Sequence, residues 1–140
     1  MTTETTSIDP TLVEYIQGHR TGVLATTTRE GKPQQTLIAY HFDGNDLAIS
    51  TRAPTQKAKN ISRRPNVSLA VVDGQAQVII YGKARVIRDQ ERVLALHKER
   101  IRRIALRSET DAELAERLVR EERVILLLTP ERFYPTTLRR

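Results

Sequence analysis

Near its N-terminus the chain sets Asp9-Pro10 before apolar positions at Leu12, Val13 and Ile16, then Gly18. That order predicts a short helix, with an aspartate to cap it, a proline suited to the first helical position and a glycine to end it. Thr21 to Thr28 (TGVLATTT) is β-branched and bounded by Arg29-Glu30-Gly31-Lys32-Pro33, and Gln35 to Phe42 (QTLIAYHF) follows, so a hairpin is expected. Asp43-Gly44-Asn45-Asp46 marks a second tight turn into Leu47 to Thr51, which would make the three strands an antiparallel meander.

The period changes at Pro54. Residues up to Arg64 (PTQKAKNISRR) are helix formers behind a proline, and Pro65-Asn66 stops them, so a short helix is wedged between strands. Val67 to Asp73 and Gln75 to Ile87 (QAQVIIYGKARVI) read as another hairpin about Asp73-Gly74, with Gly82 marking a bulge or close approach. From Asp89 the apolar positions Val93, Leu94, Ile101, Ile104 and Ala105 recur at helical spacing. Ser108-Glu109-Thr110-Asp111 can cap a further helix through Leu114 and Leu118, so a helical hairpin should cover one sheet face. Arg123 to Thr129 (RVILLLT) is a final buried strand, and Pro130-Glu131-Arg132 leads to a short ending at Phe133-Tyr134. No repeat or linker interrupts the 140 residues, which are read as a single domain, 1–140. Short antiparallel strands with few helices suggest a mainly β (α+β) domain, either a small barrel or a half-open sheet.

Composition narrows the chemistry. Cysteine is absent, which excludes disulfides, a thiolate zinc site, an iron–sulfur cluster and a cysteine nucleophile. No apolar run reaches the roughly 18–20 residues that span a bilayer, and Met1 to Thr11 is threonine-rich and acidic rather than basic and then apolar, so a cytoplasmic protein is expected. The net charge of +6 is unevenly placed. Arg52, Lys57, Lys59, Arg63 and Arg64 sit in one short segment without an acid, whereas bases and acids cancel between Asp89 and Arg123.

That basic segment is the candidate site. A strand ending in Ser50-Thr51 brings two hydroxyls to a turn, and the helix that follows offers free backbone N–H groups with Lys57 one turn in. Those are the parts of a phosphate cradle, since hydroxyls and amides donate directional hydrogen bonds and both the helix end and the lysine favour an anion. A capped surface helix with solvated lysines is the alternative reading. His19, His41 and His97 show no ligand spacing, so no metal is expected. Tyr40 and Tyr81 could line a pocket or donate a proton, or serve as core or interface residues. Lys98 to Arg107 (KERIRRIALR) could meet an anion or simply form a solvated helix face. With four tyrosines, two phenylalanines and no tryptophan, the chain is poorly equipped to bind nucleic acid.

Several segments together resemble a known family: the GVLAT strand, the G-K-P-Q turn, Y-H-F-D-G, S-T followed by K-A-K-N-I and R-R-P-N-V-S-L, and the closing E-R-V-I with P-E-R-F-Y. From about Leu12 to Tyr134 the order is similar to the pyridoxamine 5′-phosphate oxidase-like split-barrel superfamily, and most like its branch of deazaflavin-dependent oxidoreductases that use coenzyme F420. The resemblance implies an antiparallel six-stranded split β-barrel with flanking helices, forming a homodimer with two cofactor sites at the interface. Carried over by matching positions, Ser50, Thr51, Lys57 and Asn60 would contact the phosphate or its ribityl arm. Thr36, Leu37 and Ile38 would run beneath the ring. Gln56 stands where the oxidases place an arginine before the lysine, which argues against FMN held in that mode, with Arg52 as the candidate substitute. Residues gripping pyridoxal phosphate have no counterpart in Pro135 to Arg140, which argues against vitamin-B6 activity.

The resemblance thus implies hydride transfer from a deazaflavin to a small organic acceptor, with no catalytic side chain singled out because the cofactor carries the chemistry. An FMN oxidoreductase of the same fold, or a cofactor-binding protein with little turnover, are the alternatives. A polyglutamate tail on the deazaflavin would suit the basic run Lys98 to Arg107. A homodimer is also expected from apolar strand surface at Val78 to Tyr81 and Val124 to Leu128 beyond what one small barrel should bury.

Overall fold

The computed structural model describes residues 9–104 and 109–137. Helix α1 (Pro10–Gln17) forms where expected: the Asp9 carboxylate accepts from the Thr11 amide, and Gly18 follows the last turn. Strands β1 (Thr21–Thr27) and β2 (Pro33–Ala39) make the first hairpin, with Thr21 opposite Ala39 and Thr27 opposite Pro33.

The second expected strand, Gln35 to Phe42, is not continuous. It breaks at Tyr40, whose amide bonds the Arg20 carbonyl and whose buried hydroxyl donates to the Ile16 carbonyl at 2.5 Å. Beyond the break, β3 (His41–Phe42) pairs with β4 (Leu47–Arg52). The sheet order is β2-β1-β5-β6-β7-β4-β3, so the two halves of the expected strand lie at opposite edges. The meander is therefore corrected to two hairpins joined by a crossing. Two anchors on the α1 segment, Arg20 and Ile16, turn the chain across the open side of the sheet. Dividing that strand raises the count from six to seven while the split-barrel architecture stands.

Helix α2 (Gln56–Arg63) is followed by β5 (Asn66–Asp73) and β6 (Ala76–Ile87), which pair along their length about Gly74 at φ +59°. Helices α3 (Gln90–Ile104) and α4 (Asp111–Arg120) come next, the latter opened by a reciprocal Thr110–Glu113 capping box. The last strand, β7 (Arg123–Thr137), does not stop near Thr129 as expected but runs on through Pro130. Pro130 lies opposite Gly82, where the register shifts and leaves Glu131 unmatched, so a residue without an N–H sits at a bulge. A Cβ on Gly82 would collide with the Thr129 carbonyl, which is why glycine is required there.

Two cores result. Inside the curled sheet, Leu24, Ile49, Leu69, Ile80, Leu126 and Leu128 meet Ile16 from α1 and Ala58 and Ile61 from α2. Tyr15 of α1 bonds the carbonyls of Val71 and Ala76, while Asn60 of α2 bonds Thr26, so the two helices plug opposite ends of the barrel. On the outer face of β4, β6 and β7, Ala48, Ile87, Ile125 and Leu127 are covered by Val93, Leu114 and Leu118. This is the expected helical cover. Each such valine, leucine or isoleucine contributes about 1.5–3 kcal/mol by leaving water. Val124 to Leu128 is buried by the chain itself, which corrects its assignment as surplus interface surface. The side chains at 101–104, and residues 105–108 with the rest of the basic run beyond Arg100, lie outside the described residues.

Candidate cofactor site

The expected cradle is built where β4 ends and α2 begins. Ser50, Thr51 and Arg52 pair with Ile125, Val124 and Arg123 of β7. The chain then turns on two bonds to the Arg52 carbonyl, from the Thr55 amide at 3.2 Å and the Thr55 hydroxyl at 2.9 Å. The Ala53 amide bonds the carbonyl of Glu122, which sits at φ +55° in the turn that launches β7.

Because the Thr55 hydroxyl is turned back to Arg52, no side chain caps α2, and the amides of Gln56, Lys57 and Ala58 have no partner among the described residues. Lys57, in this first turn, is half-buried and makes no hydrogen bond or ion pair there. Burial, helped by nearby Arg123, pulls its ammonium below the ordinary lysine range. Lys59, two positions on, is exposed. Arg123 is held by the Glu121 carboxylate at 3.0 Å, and Arg52 reaches the Glu121 carbonyl at 3.2 Å. A partly desolvated cation, unpaired amides and a second cation together favour an anion.

Other predicted residues are placed differently. Strand alternation puts Ser50 and Thr51 on opposite faces of the sheet. Thr51 is buried beside the Thr55 hydroxyl, 3.4 Å away, whereas Ser50 faces α3 with its Oγ 2.6 Å from His97 Nε2. Asn60 is fully buried: its amide nitrogen donates to Thr26 at 3.0 Å and to Gln34 at 2.7 Å, and its oxygen accepts from Gln56 at 2.8 Å and Arg63 at 3.3 Å. The Asn60 amide nitrogen thus fastens α2 to β1 and β2, while its oxygen is held within α2 by Gln56 and Arg63. Of Thr36, Leu37 and Ile38, only Leu37 projects outward, at 71% exposure, while Ile38 is buried inside the barrel. β2 is an edge strand and approaches β4 without pairing to it.

Sequence reasoning gave no role to His97 or Arg123 and did not single out Arg100 within the basic run Lys98 to Arg107. His97 is 3% exposed; its Nδ1 lies 2.8 Å from the Val93 carbonyl, one turn earlier. The i,i+4 spacing from Val93 was the available signal, since it places His97 on the apolar face of α3. Arg100, one turn further, is half-buried and has no hydrogen-bond or ion-pair partner among the described residues; burial and Arg123 lower its pKa. It lines a cavity of about 340 Å³ at the chain crossing, together with Gln17, Arg20, Tyr40, His41 and Phe42. Tyr40 thus lines a pocket, but its hydroxyl is bonded to Ile16 and burial raises its pKa strongly, which makes it a poor proton donor.

Comparisons with known proteins agree with this architecture. The family model described as pyridoxamine 5′-phosphate oxidase matches residues 8–137. A conserved hypothetical protein from Mycobacterium tuberculosis superposes with a TM-score of 0.78 at 23% identity, over 97% of this chain and 90% of that one. An F420 reductase gives 0.66 at 24% identity, over 86% and 94%. A heme storage protein from Vibrio cholerae gives 0.69 at 18% identity, over 91% and 94%. At such identities the likeness is one of fold, and the same fold serves different ends.

Proposed function

Because the chain belongs to the pyridoxamine 5′-phosphate oxidase family, we propose that it is an oxidoreductase that binds a flavin-type cofactor at the β4–α2 cradle, with the deazaflavin coenzyme F420 preferred over FMN. The observation that carries this reading is Lys57, a half-buried cation with no hydrogen-bond or ion-pair partner among the described residues, beside three uncapped amides. An isolated cation removed from water is unfavourable until an anion joins it, and a cofactor phosphate is such an anion.

When bound, the deazaflavin supplies the hydride, and the acceptor is a small organic molecule with an activated double bond. The chain's own residues bind and orient. Lys57 and the first-turn amides of α2 hold the phosphate, Arg123 adds charge, Thr51 lines the turn, and Leu37 offers an apolar contact to the ring. Asn60 acts through Thr26 and Gln34, setting α2 against β1 and β2 so that Lys57 is aimed. Preference for the deazaflavin rests on Gln56, which is bonded to Asn60 where FMN oxidases place an arginine, and on Arg100, which has no ion-pair partner among the described residues and suits an anionic tail.

We read the molecule as a homodimer. Leu37, Val23, Ala70, Ile79 and Tyr134 form one cross-strand row on the outer sheet face left uncovered by helices. Tyr81 stands edge-on to Tyr134, ring centroids 5.5 Å apart. A second copy would cover that row, and obligate interfaces of this kind exceed about 2,000 Å².

Titration of the protein with coenzyme F420 and with FMN at one stated salt concentration tests the cofactor reading. Tighter binding of the deazaflavin is expected; equal or tighter FMN binding reverses the ranking. Turnover of a panel of enones with the reduced deazaflavin separates an enzyme from a binding protein, and saturating cofactor without turnover favours the latter.

A further inference from the structure

Ser50 and His97 form a pair whose polarity can be assigned. His97 Nδ1 lies 2.8 Å from the Val93 carbonyl, which can only accept, so Nδ1 carries a proton. In the neutral ring Nε2 is then bare and must accept, so the 2.6 Å contact is a hydrogen bond donated by the Ser50 hydroxyl. Ser50 therefore presents only lone pairs to anything else that approaches it. A phosphate oxygen also offers lone pairs, so Ser50 as folded cannot donate to the anion it is expected to hold.

The charges around His97 are mainly positive. Burial is the main cause that lowers the His97 pKa from its ordinary value; the bond to the Val93 carbonyl opposes it, and Arg100 from its own helix, Arg123 from β7 and Arg117 from α4 add to the lowering. The nearby acids are already engaged: Glu121 with Arg117 and Arg123, and Glu109 with Arg117. His41, which pairs with Ala48 and so shares the Ser50 face of the sheet, lies 4.0 Å from Glu99.

We propose that anion binding at this site takes up one proton at His97 Nε2, which reverses the Ser50–His97 hydrogen bond and turns the Ser50 hydroxyl into a donor toward the cofactor phosphate. This rests on the reading of the β4–α2 cradle as the phosphate site. Protons balance: one comes from solvent to Nε2, the new Nε2–H donates to Ser50 Oγ, and the Ser50 proton swings from the ring to the phosphate oxygen without leaving the serine. An anion beside Arg100 and Arg123 also offsets the positive charge that adds to burial in disfavouring the imidazolium, so hydrogen-bond polarity and charge act in the same direction. His97 is thus a positioning residue that sets the direction of the Ser50 hydroxyl.

The sign follows from linkage. Binding raises the His97 pKa, so affinity is highest at low pH and falls as pH rises through the bound-state value, by up to about tenfold per pH unit in that window. The test follows the His97 ring by NMR in the whole protein, titrated in chloride, in sulfate of matched ionic strength, and with FMN. Sulfate has no titrating proton in this range and isolates the effect from the phosphate's own ionisation. An upward shift of the His97 pKa in sulfate and with FMN, absent in chloride and lost in Ser50→Ala, is the expected result. His97→Gln, whose amide can donate to Ser50 permanently, should retain affinity but lose its pH dependence. If the His97 titration is unmoved while Lys57→Ala still weakens FMN binding, the proton linkage is wrong and the phosphate site stands. If FMN binds undiminished by Lys57→Ala and Ser50→Ala alike, the site itself is misplaced and the linkage falls with it.

Discussion

Lys57 and Asn60 lie one turn apart on α2 and are expected to fail in opposite ways when truncated. Replacing Lys57 by alanine removes a charge-assisted hydrogen bond worth about 1.5–3 kcal/mol, or roughly 10- to 150-fold in cofactor affinity, without unfolding the protein. Lys59 is the control, because residues two apart do not share a helix face and Lys59 is already exposed. Equal losses of affinity in Lys57→Ala and Lys59→Ala would reduce the cradle to general electrostatics. Asn60→Ala should instead lower stability by about 1–3 kcal/mol, since buried Thr26 loses its partner and Gln34 and Gln56 lose theirs. Urea unfolding reads this as a lower midpoint at an unchanged slope. A midpoint left where it was, with cofactor binding lost, would restore Asn60 as a direct ligand.

Among the elements, the β6–β7 pair depends on a single glycine. Gly82→Ala forces a methyl against the Thr129 backbone, which has no flexible side chain to move aside. A loss of about 1–3 kcal/mol or more is expected in thermal or urea unfolding; a variant as stable as the parent would mean that the bulge relaxes freely. This bulge was legible in the sequence because a glycine within a strand pattern marks one, although its partners Thr129 and Pro130 are distant; the Asp9-Pro10 helix start, the Asp73-Gly74 turn and the Thr110 capping box were legible because each is set by neighbours within a few residues. The division of Gln35 to Phe42 was not, because the Tyr40 hydroxyl reports to Ile16, an anchor set by the packing of α1 rather than by strand propensity. The site divides likewise. Lys57 could be read from its place behind a strand and a turn, whereas the Ser50–His97 pair joins residues on β4 and α3 that no local pattern links.

For the whole molecule, the outer sheet row predicts its assembly. Leu37 is 71% exposed in one copy, so Leu37→Asp should leave the isolated fold intact while dissociating the dimer, a result visible by sedimentation. A parent protein that sediments as a folded monomer at micromolar concentration would remove the dimer reading altogether. The long last strand has a further consequence, for the order in which the molecule is made. β7 pairs with β6 on one side and with β4 on the other, and Leu47 meets Leu128 across more than half the chain. During synthesis the β1–β2 and β5–β6 hairpins can close from nearby residues, but β4 emerges early and waits with an open edge until the final strand leaves the ribosome. A chain halted before Arg123 should therefore stick to chaperones or to other copies rather than fold as a smaller barrel.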